Sequence, residues 1–274
     1  MGLTFRIIMP CGGVHEDISN SLDSVNKVAN ALHECSFVVY RIFNNGLVPN
    51  KLDLKSWNFD MQDLDINPTA SAALARNKAL DLISELRNIS TDLSDFTIFL
   101  DAGDLLLPDL ITKIMQLDFQ KKDIFVGSAI IRTENKDFER VKVPLELRYF
   151  INPIYLGSAI CKTSLVTSNR FIDGRKEDWK FWLEILDKNP KLVPLNEKNY
   201  IYTIVNRGNH SLRKGKLFRE QFNFYNDYLN FSRIFSSFMM ACHYVALFNI
   251  WWIIMPIKRI IRNLLYKYSF NDNN

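Results

Sequence analysis

The sequence predicts an α/β fold in which helices flank a mixed, mostly parallel sheet. Between residues 3 and 132, short apolar runs rich in β-branched and aromatic residues alternate with longer stretches of helical periodicity. This alternation is typical of parallel sheets because parallel strands need a crossover connection, usually a helix. The 274 residues can bury a large core, and ten glycines, nine prolines and 13% aromatic residues exclude collagen-like, low-complexity and globally disordered chains.

Each predicted element has its own signal in the chain. Apolar, β-branched runs predict strands, and apolar residues three or four positions apart predict helices. Turn residues, among them Pro10 and Asn44-Asn45-Gly46, end the strands. In chain order we expect a strand over 3–9, a helix over 18–32, a strand over 37–43, a polar connection over 47–68, an alanine-rich helix over 70–86, a strand over 96–100, a helix after Pro108 and a strand over 123–131.

Two carboxylates, Asp101 and Asp104, lie in the loop after the strand over 96–100, with Gly103 between them. Ligands of open α/β sheets bind at the carboxyl ends of the strands. Carboxylates three positions apart on a tight loop can share one divalent cation that also bridges to phosphates. The alternative is a solvated turn in which Asp104 caps the next helix.

Charged side chains elsewhere in the sequence fit the same kind of site. Arg76 lies in the helix before this strand and can pair with a diphosphate or with an acidic loop residue, although a plain surface position is the alternative. Glu177 and Asp178 stand together at the start of a predicted helix with an apolar face. They either stabilise that helix end or provide a general base for an acceptor hydroxyl.

In this order the motifs resemble those of family 2 glycosyltransferases, a GT-A fold family often used in bacterial surface-polysaccharide synthesis. The resemblance covers residues 3–210, and we take residues 1–210 as the GT-A glycosyltransferase domain. The matching motifs are Ile7-Ile8-Met9-Pro10, Asn44-Asn45-Gly46, Ala75-Arg76-Asn77, Asp101-Ala102-Gly103-Asp104 and Glu177-Asp178-Trp179.

The resemblance implies a role for each motif. It implies an inverting transfer from a nucleotide-diphosphate sugar, with UDP as the expected nucleotide, in which Mg²⁺ or Mn²⁺ offsets charge on the leaving diphosphate. Asp178, beside Glu177, would take the proton of the acceptor hydroxyl. The implied donor-binding residues are Pro10, Asn44, Asn45, Arg76 and Asp101, and the implied metal ligands are Asp104 and Asp101.

The chain departs from the family pattern in two places. Asn44 or Asn45 replaces the acid that contacts the nucleotide base, and an amide can still hydrogen-bond a pyrimidine. Gly103 stands at the third position of the loop, where the family has Asp, so that Asp104 must bind the metal, Asp101 must share that role, or metal dependence is weakened.

Two further segments are weaker candidates. Gly157-Ser158 falls where the family often places an acceptor-side loop, and a plain turn is the alternative. His210 falls where related enzymes close the donor site, and a solvated loop histidine is the alternative.

The last quarter of the chain differs in charge from the rest. Residues 207–274 hold 10 Lys and Arg against 3 Asp and Glu, and no charged residue occurs over 234–257. Basic clusters on both sides of this run, which holds Trp251 and Trp252, disfavour a true span, and an amphipathic segment over 257–268 follows. Residues 211–274 are therefore predicted to form a helical, membrane-associating tail. We expect this tail to be peripheral or monotopic on the anionic cytoplasmic face of the inner membrane. Its high apolar content excludes nucleic acid as a partner.

Two functional hypotheses follow from these observations. The first is an enzyme that adds sugar to a lipid-linked or growing glycan acceptor. The second is a catalytically degenerate GT-A module that keeps nucleotide affinity and anchors an assembly at the membrane. Gly103 and the missing strand-end acid motivate the second hypothesis.

Overall fold

The computed structural model describes residues 2–12, 15–43, 56–66, 70–87, 95–133, 137–139, 144–149, 152–203, 222–229 and 236–237. Within them the chain divides into two compact units, Met1–Val143 with Asn152–Val205, and Pro144–Ile151 with Asn206–Asn274. In the second unit, Phe224–Tyr228 is a π-helical turn in which the Phe224 ring stacks on the Tyr228 ring, with centroids 5.5 Å apart. The predicted boundary at residue 210 and most of the predicted tail lie outside the described residues.

The first unit is a mixed α/β structure, which confirms the predicted fold class. Its strands are β1 (Thr4–Pro10), β2 (Ser36–Phe43), β3 (Asp60–Asp65), β4 (Asp95–Phe99), β5 (Leu105–Leu106), β6 (Ile124–Arg132), β7 (Asp137–Glu139), β8 (Ala159–Lys162) and β9 (Leu192–Thr203). Its α-helices are α1 (His15–Ala31), α2 (Ala72–Arg87), α3 (Asp109–Met115), α4 (Thr163–Thr167) and α5 (Glu177–Leu186).

The described strands form one sheet in the order β3-β2-β1-β4-β8-β6-β9-β5, with β7 paired to β6. β3, β2, β1 and β4 are parallel, so their carboxyl ends meet at one edge. β8 is antiparallel to both β4 and β6, whereas β6 and β9 are parallel over a long register. Because the parallel pairings carry the longest registers, the sheet is mostly parallel, as predicted.

The core forms because the apolar periodicity of the helices faces apolar strands. Ile18, Leu22 and Val25 of α1 are fully buried and belong to the same cluster as Phe5 and Ile7 of β1. Burial of each such side chain stabilises the fold by about 1.5–3 kcal/mol. The helix and strand positions predicted from periodicity are therefore confirmed to within a few residues.

Strand β3 lies within a segment predicted to be a polar connection, so that prediction was wrong for residues 60–65. The strand has the polar sequence Asp-Met-Gln-Asp-Leu-Asp, and its side chains are exposed or half-buried. It sits at the end of the sheet order, where an edge strand needs only one strand partner and no second apolar neighbour. Backbone pairing with β2, supported by the bidentate Arg41–Asp63 ion pair, holds it in place.

No helix among the described residues is long and apolar enough to cross a membrane.

Candidate active site

The acid loop, residues 101–104, follows β4 at the carboxyl edge of the parallel strands, the edge at which Pro10 ends β1. The Asp104 N–H donates to the Asp101 carbonyl over 3.0 Å, which closes a four-residue turn. Gly103, the third residue of the turn, has φ +101°, a conformation that L side chains rarely adopt and that type II turns require at this position. The glycine at this position is therefore a requirement of the turn.

Helix α1 holds this loop through two serines. Ser21 Oγ accepts from the Gly103 N–H over 2.9 Å and donates to the Asp104 carbonyl over 2.7 Å. Ser24 Oγ accepts from the Leu106 N–H over 3.0 Å. Both hydroxyls are buried, so the loop backbone is fixed by hydrogen bonds sheltered from water.

Arg76 lies at the centre of the site. Its side chain is 2% exposed, and its guanidinium contacts Asp101 Oδ1 at 2.6 Å and Glu177 Oε1 at 3.4 Å. The guanidinium carbon also lies 5.2 Å from the centroid of the Phe171 ring. Burial disfavours the charged guanidinium, but the Asp101 and Glu177 charges outweigh it, and the pKa of Arg76 is raised. The structure thus brings together acids that are 76 residues apart in the chain.

Asn77, the next residue of α2, holds the segment that leads into α5. Its side-chain amide donates to the Phe171 carbonyl over 2.9 Å and accepts from the Phe171 N–H over 2.8 Å. Both backbone groups of Phe171 are thereby satisfied by one side chain. Arg76 and Asn77 together position the start of α5, and with it Glu177 and Asp178, against the acid loop.

The carboxyl group of Asp178 is buried beside Glu177. Burial, followed by the neighbouring Glu177 charge, raises the pKa of Asp178 above its ordinary value, and Arg76 partly opposes this shift. Asn152 Nδ2 donates to Asp178 Oδ2 over 2.7 Å and so orients the carboxyl group. A carboxylate with a raised pKa takes a proton more readily, as general base catalysis requires.

Asp104 has a different environment from Asp101. Asp104 is 4% exposed, and its carboxyl group accepts from the Tyr200 hydroxyl and, over 2.9 Å, from the Thr203 N–H. Burial, followed by the Asp101 charge, raises the pKa of Asp104 to about 8. Asp101 is 44% exposed and remains accessible. The assignment of Asp104 as a metal ligand stays a prediction.

The acids present fit a cation that is held mainly by its substrate. Among the described residues, no three His, Cys, Asp or Glu side chains are grouped as a protein-only metal site. Mg²⁺ commonly uses one or two carboxylates together with substrate phosphates and water, and Asp101 offers one such carboxylate.

The remaining predicted residues fall into three groups. Pro10 is buried at the end of β1. Gly157 and Ser158 form a buried 3-10 turn with Leu156, and the Asn199 side chain donates to the Gly157 carbonyl over 2.8 Å. Asn44, Asn45 and His210 lie outside the described residues.

Sequence reasoning missed several residues that shape the site, namely Ser21, Ser24, Asn77, Asn152 and Tyr200. A signal existed for the two serines, because they interrupt the apolar periodicity of α1 three positions apart. The partners of Asn77, Asn152 and Tyr200 are 94, 26 and 96 residues away, and no local pattern marks such contacts.

Among the solved structures that share this fold are two determined with a bound nucleotide sugar. TarS 1–349 of S. aureus in complex with UDP-GlcNAc matches with a TM-score of 0.57 and 16% identity, over 87% of this chain and 71% of that one. The mannosyltransferase PcManGT of Pyrobaculum calidifontis, in complex with GDP-Man and Mn²⁺, matches with a TM-score of 0.56 and 16% identity, over 90% and 71%. No protein-family model matches the sequence, and no curated protein matches it. The chain therefore has a GT-A-like glycosyltransferase fold.

Proposed function

We propose that this protein is an inverting glycosyltransferase of family 2 that acts in bacterial surface-polysaccharide synthesis. It moves a sugar from a nucleotide-diphosphate donor, with UDP as the nucleotide, to a lipid-linked or growing glycan acceptor. One observation carries the proposal: Arg76 joins the accessible Asp101 carboxylate to the Glu177-Asp178 pair at the ligand-binding edge of the sheet. The nucleotide-sugar complexes of TarS and PcManGT support it.

The proposed reaction is a single displacement. Asp178 accepts the proton of the acceptor hydroxyl while that oxygen bonds to the anomeric carbon of the donor sugar. The bond from this carbon to the diphosphate oxygen breaks at the same time, and the anomeric configuration inverts. Asn152 holds the Asp178 carboxyl group in orientation, and Arg76 holds Asp101. A Mg²⁺ or Mn²⁺ ion bound by Asp101 and the diphosphate would neutralise charge on the leaving group.

We place the protein at the cytoplasmic face of the inner membrane. The support is the composition of residues 207–274, where 10 basic residues accompany two adjacent tryptophans, Trp251 and Trp252. Such a segment favours an anionic lipid surface, which also carries lipid-linked acceptors. A peripheral or monotopic attachment would bring the site to these acceptors.

UDP release tests the proposal directly. Full-length protein is incubated with Mn²⁺, membrane lipid extract and a panel of UDP-sugars, and the anomeric configuration of the product is determined by NMR. We expect transfer with inversion and a loss of about 10²–10⁴-fold for Asp178→Asn, the usual worth of a general base. Asp187→Asn, at the far end of α5, is the matched control and should transfer at the wild-type rate. Wild-type transfer by Asp178→Asn would refute the assigned base.

The second candidate is a nucleotide-binding module without catalysis that anchors an assembly. The observation that favours it is the buried, hydrogen-bonded Asp104, which leaves Asp101 as the accessible carboxylate of the acid loop. Thermal shift with UDP and Mn²⁺ separates the candidates, because a ligand that binds the folded state raises its apparent stability. A shift without turnover of any donor would favour the module.

A further inference from the structure

Two of the large apolar side chains that are exposed on the described surface lie in one row across the sheet. Tyr202 of β9 is aligned with Ile131 of β6, and Ile131 is aligned with Phe138 of β7. Aligned residues of neighbouring strands point to the same face of a sheet, so the three side chains share a face. Tyr202 is 36% exposed and Phe138 is 42% exposed, so the row presents aromatic surface to solvent.

A fourth side chain extends this surface. The Tyr155 ring stacks on the Tyr202 ring with centroids 5.7 Å apart and an interplanar angle of 20°. Neighbouring strands lie about 4.8 Å apart, so the row from Phe138 to Tyr202 spans roughly 10 Å. We call Phe138, Ile131, Tyr202 and Tyr155 the aromatic row. Its length matches one or two sugar rings.

The aromatic row ends at the acids of the candidate active site. Burial, followed by the charges of Asp104, Tyr155, Asp101 and Asp178, raises the pKa of Tyr202. The next residue of β9 donates its N–H to Asp104 Oδ1.

Asn152, three positions before Tyr155, joins this segment to the proposed base Asp178. Asn152 donates to the Asp178 carboxyl group, so the two ends of this short segment contact the base and the aromatic row. The position of the row is thus set by the residues that orient Asp178.

We propose that the aromatic row binds a sugar ring of the acceptor glycan and presents its hydroxyl to Asp178, an inference that rests on the proposed glycosyltransferase function. A pyranose has an apolar C–H face that covers an aromatic ring and a rim of hydroxyls that needs polar neighbours. The phenol hydroxyls of Tyr155 and Tyr202 provide such neighbours.

Other occupants fit these surroundings less well. An acyl chain would cover the hydroxyls of Tyr155 and Tyr202 with hydrocarbon, which offers them no hydrogen bond. A nucleoside diphosphate carries negative charge, and none of the four side chains of the row is a cation that could pair with it. A neutral sugar ring meets neither difficulty, so we assign the aromatic row to the glycan part of the acceptor.

Binding without turnover tests the proposal. Saturation-transfer NMR is measured on full-length protein with a fixed panel of maltohexaose, cellohexaose, mannohexaose and chitohexaose. We expect at least one to bind and to bind roughly tenfold more weakly to Tyr202→Ala, the value for losing about 50 Å² of apolar contact. Tyr202→Phe should keep the affinity and Tyr202→Leu should not restore it, because Leu keeps bulk but lacks a flat face. Phe138→Ala provides a second variant, and Leu86→Ala, an exposed apolar residue at the end of α2, is the control.

Some outcomes would overturn the proposal. The first is that no oligosaccharide binds, and the second is that the wild type and both alanine variants bind equally well. The third is that Tyr202→Leu binds as tightly as the wild type, because apolar bulk without a flat face is then sufficient, as it would be for a lipid chain. A weaker UDP affinity in Tyr202→Ala, measured by calorimetry, would assign the row to the donor instead. Oligosaccharide binding with no donor turnover would refute the glycosyltransferase function while leaving the sugar site in place, so the two failures are distinguishable.

Discussion

Replacing Asp104 by asparagine tests the interpretation of its buried carboxyl group. Burial raises the pKa of Asp104 from its ordinary value of 3.8 to about 8 in the folded protein. The folded state therefore holds a proton that the unfolded state releases between these two pH values. The stabilisation of the folded state by the Asp104 proton is complete below pH 4 and is lost as the pH rises through 8.

The magnitude follows from the width of this interval. Each pH unit within it costs the wild type about 1.4 kcal/mol of unfolding free energy, which is about 4 kcal/mol between pH 5 and pH 8. Asparagine has nearly the same shape and does not titrate. Between pH 5 and pH 8 we therefore expect the unfolding free energy of Asp104→Asn to fall by about 4 kcal/mol less than that of the wild type.

The assay is urea unfolding in EDTA at pH 5, 6, 7 and 8, with the wild type and Asp104→Asn measured side by side. Asp109→Asn, an exposed position in the first turn of α3, is the matched control and should follow the wild type. A constant difference between the wild type and Asp104→Asn over this range would refute the reasoning, because it would show that Asp104 does not change its protonation with pH.

Three further predictions concern the contacts around the site. Arg76→Met should lower the unfolding free energy by about 2 kcal/mol at pH 7, measured by urea unfolding, because the charge-assisted hydrogen bond from Arg76 to Asp101 and the contact with Glu177 are lost. Gly157→Ala should cost about 1–3 kcal/mol in the same measurement, because a methyl group there overlaps the buried Tyr200 ring. Asn77→Ala should cost about 2 kcal/mol and increase amide hydrogen exchange before α5, because two hydrogen bonds to the Phe171 backbone are lost.

Each of these variants has a control or a contradicting result. Arg170→Met removes an exposed ion pair with Asp81 and should lower the unfolding free energy by under about 1 kcal/mol. An equally small loss for Arg76→Met would contradict the structural role assigned to Arg76. Gly174→Ala meets no atom within 4 Å, and its cost of about 1–2 kcal/mol comes from positive φ alone. Unchanged exchange in Asn77→Ala would show that α2 does not hold the segment before α5.

The sequence predicts the parts of the fold whose signals are local. The strands over β1, β2, β4 and β6 and the helices α1 and α2 follow from apolar runs and periodicity, because each buries a continuous face. Strand β3 could not be predicted in this way, because an exposed edge strand needs backbone pairing and no apolar pattern.

The candidate site also has a part that the sequence predicts and a part that depends on distant residues. Pairing of Arg76 with an acidic loop residue was one of the expected alternatives, and the structure places Arg76 in contact with Asp101; its contact with Glu177 was not predicted. The difference in environment between Asp101 and Asp104 was not predictable, because it depends on Tyr200 and Thr203, nearly a hundred residues further along the chain. The spacing of two acids in a loop carries no information about which carboxylate a distant strand will cover.

The hydrogen bonds from β9 to Asp104 also set an order of assembly. They span 96 and 99 residues, so during synthesis the acid loop emerges long before its partners. Until β9 pairs with the sheet, the Asp104 carboxyl group lacks these two partners. The serines of α1 can fix the loop backbone earlier, but the Asp104 carboxyl group is covered only when β9 joins, which makes this part of the candidate site a late event in folding.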